Sequence, residues 1–123
     1  MARHIWMGAA LLGAIAFATP ILAHHSFAMF DIRQEVTVSG TVREFQWTNP
    51  HSWLQLNVVR DAATVEFSIE LGSPNTMSRR GWRRTTFKPG DRVTVIMNPM
   101  RDGSPGGALI SAIDAQGNRL TLR

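Results

Sequence analysis

Val36-Thr37-Val38-Ser39-Gly40-Thr41-Val42 alternates apolar and hydroxyl-bearing side chains without a break. The three valines share one face with Gly40, and Thr37, Ser39 and Thr41 share the other, the period of a β-strand with one buried side. Past Glu44 the apolar parity flips to Phe45 and Trp47. A flip of that kind inside one strand predicts a bulge or a strong bend. The first strand is therefore long and curved, and a curved first strand is the starting element of a small barrel.

Reading toward the C-terminus, Asn49-Pro50 is a break. After it Leu54, Leu56 and Val58 alternate with Trp53, Gln55 and Asn57. Arg60-Asp61-Ala62-Ala63 reads as a turn, and Val65, Phe67, Ile69 and Leu71 then alternate with Glu66, Ser68 and Glu70. A short helix follows, with Ser73 as N-cap, Pro74 at the first helical position and Gly81 as the left-handed stop. Lys88-Pro89-Gly90-Asp91 turns into a strand from Arg92 to Met97. Asp102 to Gly107 is a glycine-rich loop, and Ala108 to Ala115 is a last strand, ending in a Gln116-Gly117-Asn118 turn and a short tail. Three strands, one helix and two strands give an all-β domain, a small five-stranded OB-like barrel with its helix between strands three and four.

In the other direction, residues 1–23 read as a signal peptide. A short n-region carrying Arg3 precedes an apolar run from Ile5 to about Phe17, Thr19-Pro20 interrupts any helix, and small Ala23 occupies the cleavage position. Ala16-Phe17-Ala18 is the competing cut, with almost no polar region behind it. Retention as an anchor is the third option, but Gly8, Gly13, Thr19 and Pro20 make Ile5 to Ala23 a poor spanning helix. Cleavage after Ala23 leaves 100 of the 123 residues, enough for one domain, 24–123. Loss of Arg3 lowers the net charge from +4 to +3, too little to argue nucleic-acid binding. The chain has no cysteine, which excludes disulfides and thiolate chemistry.

The segments His24-His25-Ser26-Phe27-Ala28-Met29-Phe30-Asp31, Gly40-Thr41-Val42 and Trp47-Thr48-Asn49-Pro50-His51-Ser52-Trp53 carry a family resemblance. Ser73-Pro74, Gly81-Trp82, Lys88-Pro89-Gly90-Asp91 and Arg101-Asp102-Gly103 continue it. Over the whole mature chain the sequence resembles the exported bacterial domain-of-unknown-function family numbered 6152. The resemblance implies export, hence a periplasmic location, and a single β-rich domain; it brings no activity with it.

Cleavage after Ala23 would make His24 the first residue, with an α-amine beside its imidazole. Both groups lose a proton at low cost near neutral pH, and amine plus Nδ1 form a chelate ring. A second imidazole opposite would give three nitrogens in a T, a geometry suited to Cu(II). This looks like the histidine-brace arrangement of exported copper proteins, in ligand chemistry only. His51, at the head of a predicted strand, is the expected partner, and His25 is an auxiliary or alternative ligand. Met29, Met97 and Met100 are soft thioethers suited to Cu(I), with Met97 expected in the core. The bland reading is that adjacent terminal histidines chelate stray metal and that His51 caps a turn. Copper is the one cofactor the sequence suggests.

Trp53 and Trp82, with Arg79, Arg80, Arg83 and Arg84, form the candidate partner-binding set. The plain alternative is that tryptophans fill barrel ends and that arginines complement the helix C-terminus. No nucleophile elbow, H-E-x-x-H, phosphate loop or dinucleotide motif is present, so no enzyme is expected. Glu66 and Glu70 read as the solvent side of a strand. The sequence thus points to a small exported binding protein holding Cu(II) through His24 and His51. The competing reading is a metal-free adaptor that docks an envelope protein or contacts a membrane surface through Trp53 and the arginines, and neither reading involves nucleic acid.

Overall fold

The computed structural model of the protein describes residues 27–122. Residues 1–26, with the expected signal peptide and cleavage site, lie outside the described residues. Among the described residues, no helix is long and apolar enough to cross a membrane.

The elements follow in the order β1 (Val36–Gln46), β2 (Trp53–Arg60), β3 (Ala63–Glu70), α1 (Pro74–Ser78), β4 (Arg92–Pro99), β5 (Gly106–Asp114) and β6 (Arg119–Thr121). The sheet runs β3-β2-β1-β4-β5-β6, and β3 also pairs with β5. That last pairing, parallel and short (Ser68 to Gly106, Ile69 to Gly107, Glu70 to Ala108), closes β1 to β5 into a barrel. All other neighbours are antiparallel.

The long first strand is shared between two partners. Val36 to Thr41 pair with β4, and Thr41 to Gln46 pair with β2. Between Val42 and Glu44 the register shifts, so Arg43 is the extra residue of a bulge. This shift is what turns Phe45 toward the same interior that Val38 and Val42 occupy. Gly40 lies on the inward face before the bend, where a Cβ would stand 2.6 Å from the Asn57 carbonyl oxygen. The missing side chain lets β1 cross β2 at close range.

Inside the barrel Leu54, Leu56, Phe67, Ile69, Val93, Val95, Met97 and Leu109 are buried. Ser73 caps α1 as expected, its Oγ accepting the Thr76 N–H at 3.3 Å with Pro74 behind it, and Gly81 takes a left-handed φ of 88°. The helix delivers Met77 into the core and the following turn delivers Trp82. Trp82, Phe45 and Phe87 pack mutually with ring centroids 6.1 to 6.3 Å apart and fill that end of the barrel.

Two boundaries differ from expectation. The glycines read as loop belong to β5, which begins at Gly106, because β5 must pass β3 and β4 at a distance that excludes a Cβ. At Gly107 a Cβ would collide with the Asn98 carbonyl oxygen, and at Gly106 with that of Ser68. The tail after Gly117 is also a strand, since β6 pairs with β5 and Thr121 accepts the Trp82 indole N–H at 3.0 Å.

Closure through glycine makes a direct prediction. Gly107→Ala puts a methyl group into backbone that has no rotamer with which to yield. It should cost about 2 kcal/mol or more, lowering the melting temperature on the order of 10 °C for a domain of this size. An unchanged melting temperature in a thermal scan would contradict the closure described.

Candidate functional site

The chain enters the fold along the seam where β3 meets β5. Phe27–Met29 form a short 3-10 turn, and Phe30 makes an antiparallel bridge with Met100. The Asp31 N–H donates to Pro99 O at 2.9 Å, and the Arg101 N–H donates to Met29 O at 2.9 Å. Arg101 Nε donates to Phe30 O at 3.0 Å, and the buried Asn98 amide donates to Gln34 O at 2.7 Å. Phe30 is buried. Residues 27–34 are thus tied down as a strap over the β4–β5 end of the barrel.

Asp31 organises the turn behind the strap. Its carboxylate accepts from the Arg33 backbone N–H at 3.2 Å, from Gln34 Nε2 at 2.8 Å and from Arg33 Nε at 3.3 Å. The Arg33 N–H, followed by the Gln34 amide, holds its pKa below the ordinary 3.8. A carboxyl depressed in the folded state contributes stability above its unfolded-state pKa and loses that contribution as the pH falls through the folded one.

His51 approaches the same seam from the opposite side. The Asn49–Pro50 peptide is cis. Thr48 Oγ1 donates to His51 O at 2.7 Å, and the next residue extends the β2–β3 pairing beyond Trp53 and Glu70. Ser52 N–H donates to Gly72 O and Leu71 N–H donates to Ser52 O, both at 2.9 Å. The imidazole Nδ1 faces Leu71 O at 3.2 Å and Glu70 Oε1 at 3.4 Å. Both are acceptors, so Nδ1 presents an N–H to them. A carbonyl or carboxylate behind one ring nitrogen fixes the orientation of an imidazole.

Glu70 is the residue that the sequence misplaced. Alternation put it with Glu66 on the solvent side of β3, and Glu66 is indeed exposed, 3.4 Å from Arg43. The Glu70 side chain is only 9% exposed, and its Oε2 is buried without a hydrogen-bond partner. Burial comes from outside the strand. Trp53 stands opposite Glu70 on β2, Ala108 is its neighbour on β5, and the strap contributes the walls of the clefts that Glu70 lines. No periodicity signals this, because the covering residues come from the strap and the β4–β5 loop.

Two clefts meet at Glu70. One, of about 240 Å³, is lined by His51, Leu71, Thr76, Leu109 and, from the strap, Phe27. The other, of about 230 Å³, is lined by Met29, Phe30, Trp53, Met100 and Pro105. Of the sequence-derived metal ligands, His51 is placed here, whereas His24 and His25 lie outside the described residues. Among the described residues, no three His, Asp or Glu side chains converge on one point, so His51 and Glu70 stand as a pair.

The partner-binding set separates. Trp53 is half-buried at the second cleft. Arg79, Arg80, Arg83 and Arg84 are exposed, and Arg83 Nη1 donates to Ser78 O at 3.2 Å and Trp82 O at 2.9 Å, which satisfies carbonyls at the helix end. Trp82 is corrected: it is fully buried in the aromatic cluster, and a side chain with no accessible surface cannot contact a partner.

A closed five-stranded barrel bearing one short helix between its third and fourth strands defines an OB-fold domain. Residues 12–110 match the family of unknown function DUF6152, and the chain belongs to that family. Among curated proteins none matches it in sequence. In structure it is similar to the mitochondrial single-stranded DNA binding protein Rim1 of S. cerevisiae, with a TM-score of 0.50. The two are 11% identical over 69% of this chain and 97% of that one, a likeness of fold.

Asp31→Asn should lower the urea midpoint at pH 7, and its deficit against wild type should shrink as the pH is taken well below the ordinary carboxylate value of 3.8 and the wild-type carboxylate protonates. Midpoints measured in both pH ranges decide this; an equal deficit in both would show that the charge of Asp31 is irrelevant to the strap.

Proposed function

We propose that this chain is an exported, periplasmic binding protein that holds Cu(II) between its mature N-terminus and His51. The observation that carries the reading is the position of Phe27, which lines one cleft together with His51 and Glu70. Phe27 is three positions after His24. Three residues span at most about 10 Å, so a chain cut after Ala23 begins within short reach of the imidazole. The amine and imidazole of His24 supply two nitrogens, and Nε2 of His51 supplies the third.

Two further features support the fit. Leu71 O and the Glu70 carboxylate at Nδ1 orient the His51 ring in the way such partners orient metal-ligating histidines. The Glu70 carboxylate adds negative charge in a largely apolar cleft, where it favours a bound cation more than it would in water. Cu(II) in this role is a ligand, and no catalytic step is assigned. The protein of similar fold binds single-stranded DNA, and such a strand needs a basic track, whereas the described residues lining the two clefts at this seam include Phe27, Phe30 and Trp53 but no lysine or arginine.

Intact mass of protein recovered from the periplasm should begin at His24. Titration with Cu(II) should then give one tight site, weakened at least tenfold in His51→Ala, in line with the loss expected when a metal-site residue is removed. Equal affinity in wild type and His51→Ala would mean that the terminal histidines chelate alone and would overturn the proposal.

A further inference from the structure

We propose that the second cleft, on the other side of Glu70, is a separate binding site for a soft monovalent cation of the Cu(I) class. Met29 and Met100 are its thioether donors, Glu70 its counter-charge and Trp53 its aromatic wall. The two methionines are distant in sequence and are brought to one cleft by the strap, through the Phe30–Met100 bridge and the Arg101 N–H to Met29 O hydrogen bond of 2.9 Å. Neither serves the core. Met77 and Met97 are fully buried there, whereas Met29 is 39% exposed and Met100 is half-buried. A flexible thioether left at the surface beside a second one is poorly explained by packing and well explained by ligation, because thioether sulfur selects soft ions.

Glu70 provides the independent observation. Its Oε1 is engaged by His51, but Oε2 is buried and has no hydrogen-bond donor. A buried, unpaired carboxylate oxygen is costly unless a cation or donor meets it. Trp53 is paired with Glu70 across β2 and β3 and lines the same cleft, which gives the site an aromatic wall. The donor set also sorts among ions. Calcium requires six to eight oxygen ligands and zinc a tetrahedron of nitrogen, sulfur and carboxylate donors, whereas two thioethers and one carboxylate favour a soft ion. This site does not depend on cleavage after Ala23 or on His24.

The test uses Ag(I), a redox-inert soft cation, on the mature protein carrying ¹³C-methyl methionine. At one equivalent the methyl resonances of Met29 and Met100 should shift, and those of Met77 and Met97 should stay. Replacing both donors, Met29→Leu with Met100→Leu, keeps size and apolarity. It should weaken Ag(I) binding at least tenfold while leaving the circular dichroism spectrum and Cu(II) binding unchanged. His51→Ala should do the reverse, retaining the Ag(I)-dependent methyl shifts, so failure of one site is distinguishable from failure of the other. Stationary Met29 and Met100 methyls, or wild-type Ag(I) affinity in the double leucine variant, would overturn the proposal.

Discussion

The parallel contact between β3 and β5 is the constraint on which the rest of the molecule depends. It is only three residue pairs long, and it exists because Gly106 and Gly107 carry no side chain where β5 slides past Ser68 and Asn98. Without it the sheet would be open, with unpaired backbone along β3 and β5 and a core exposed on one side. With it, the last residue of β3 acquires a neighbour on each flank. That residue is Glu70.

Closing the barrel at a glutamate creates a problem that the strap aggravates. Residues 27–34 are held by Phe30, Asp31, Asn98 and Arg101, and they frame the clefts on either side of the Glu70 carboxylate. One of its oxygens meets His51 and the other meets nothing. An apolar residue there would serve stability better, since burying a charge with half its partners missing is unfavourable. A carboxylate kept at the seam, between an imidazole on one side and two thioethers on the other, is the arrangement expected where cations are to be bound. The fold supplies rigidity, the strap supplies enclosure, and Glu70 supplies the charge.

Much of the fold was legible in the chain because its information is local. The parity change after Glu44 reports the bulge at Arg43, and Ser73, Pro74 and Gly81 state where the helix starts and stops. His51 was legible as the head of a strand. What escaped was set by contacts distant in sequence. Gly106 and Gly107 resemble any loop glycines until β3 lies alongside them. Arg119 to Thr121 lack an apolar run long enough to announce a strand, and β5 recruits them. Alternation placed Glu70 in solvent, and only the strap reveals it as buried. Trp82 has a surface-like arginine context, yet the turn after α1 rotates it inward against Phe45 and Phe87. The pairing of Met29 with Met100 is of the same kind.

The central claim is that the start of the mature chain and His51, at the seam of the barrel beside Glu70, form one Cu(II)-binding centre. Paramagnetic broadening tests it most directly. With one equivalent of Cu(II) on the uniformly labelled mature protein, the account predicts loss of the amide signals of His51, Leu71, Gly72 and Leu109, the cleft residues, together with those near the N-terminus. Broadening confined to the first few residues, with the amides of the cleft unaffected, would contradict it.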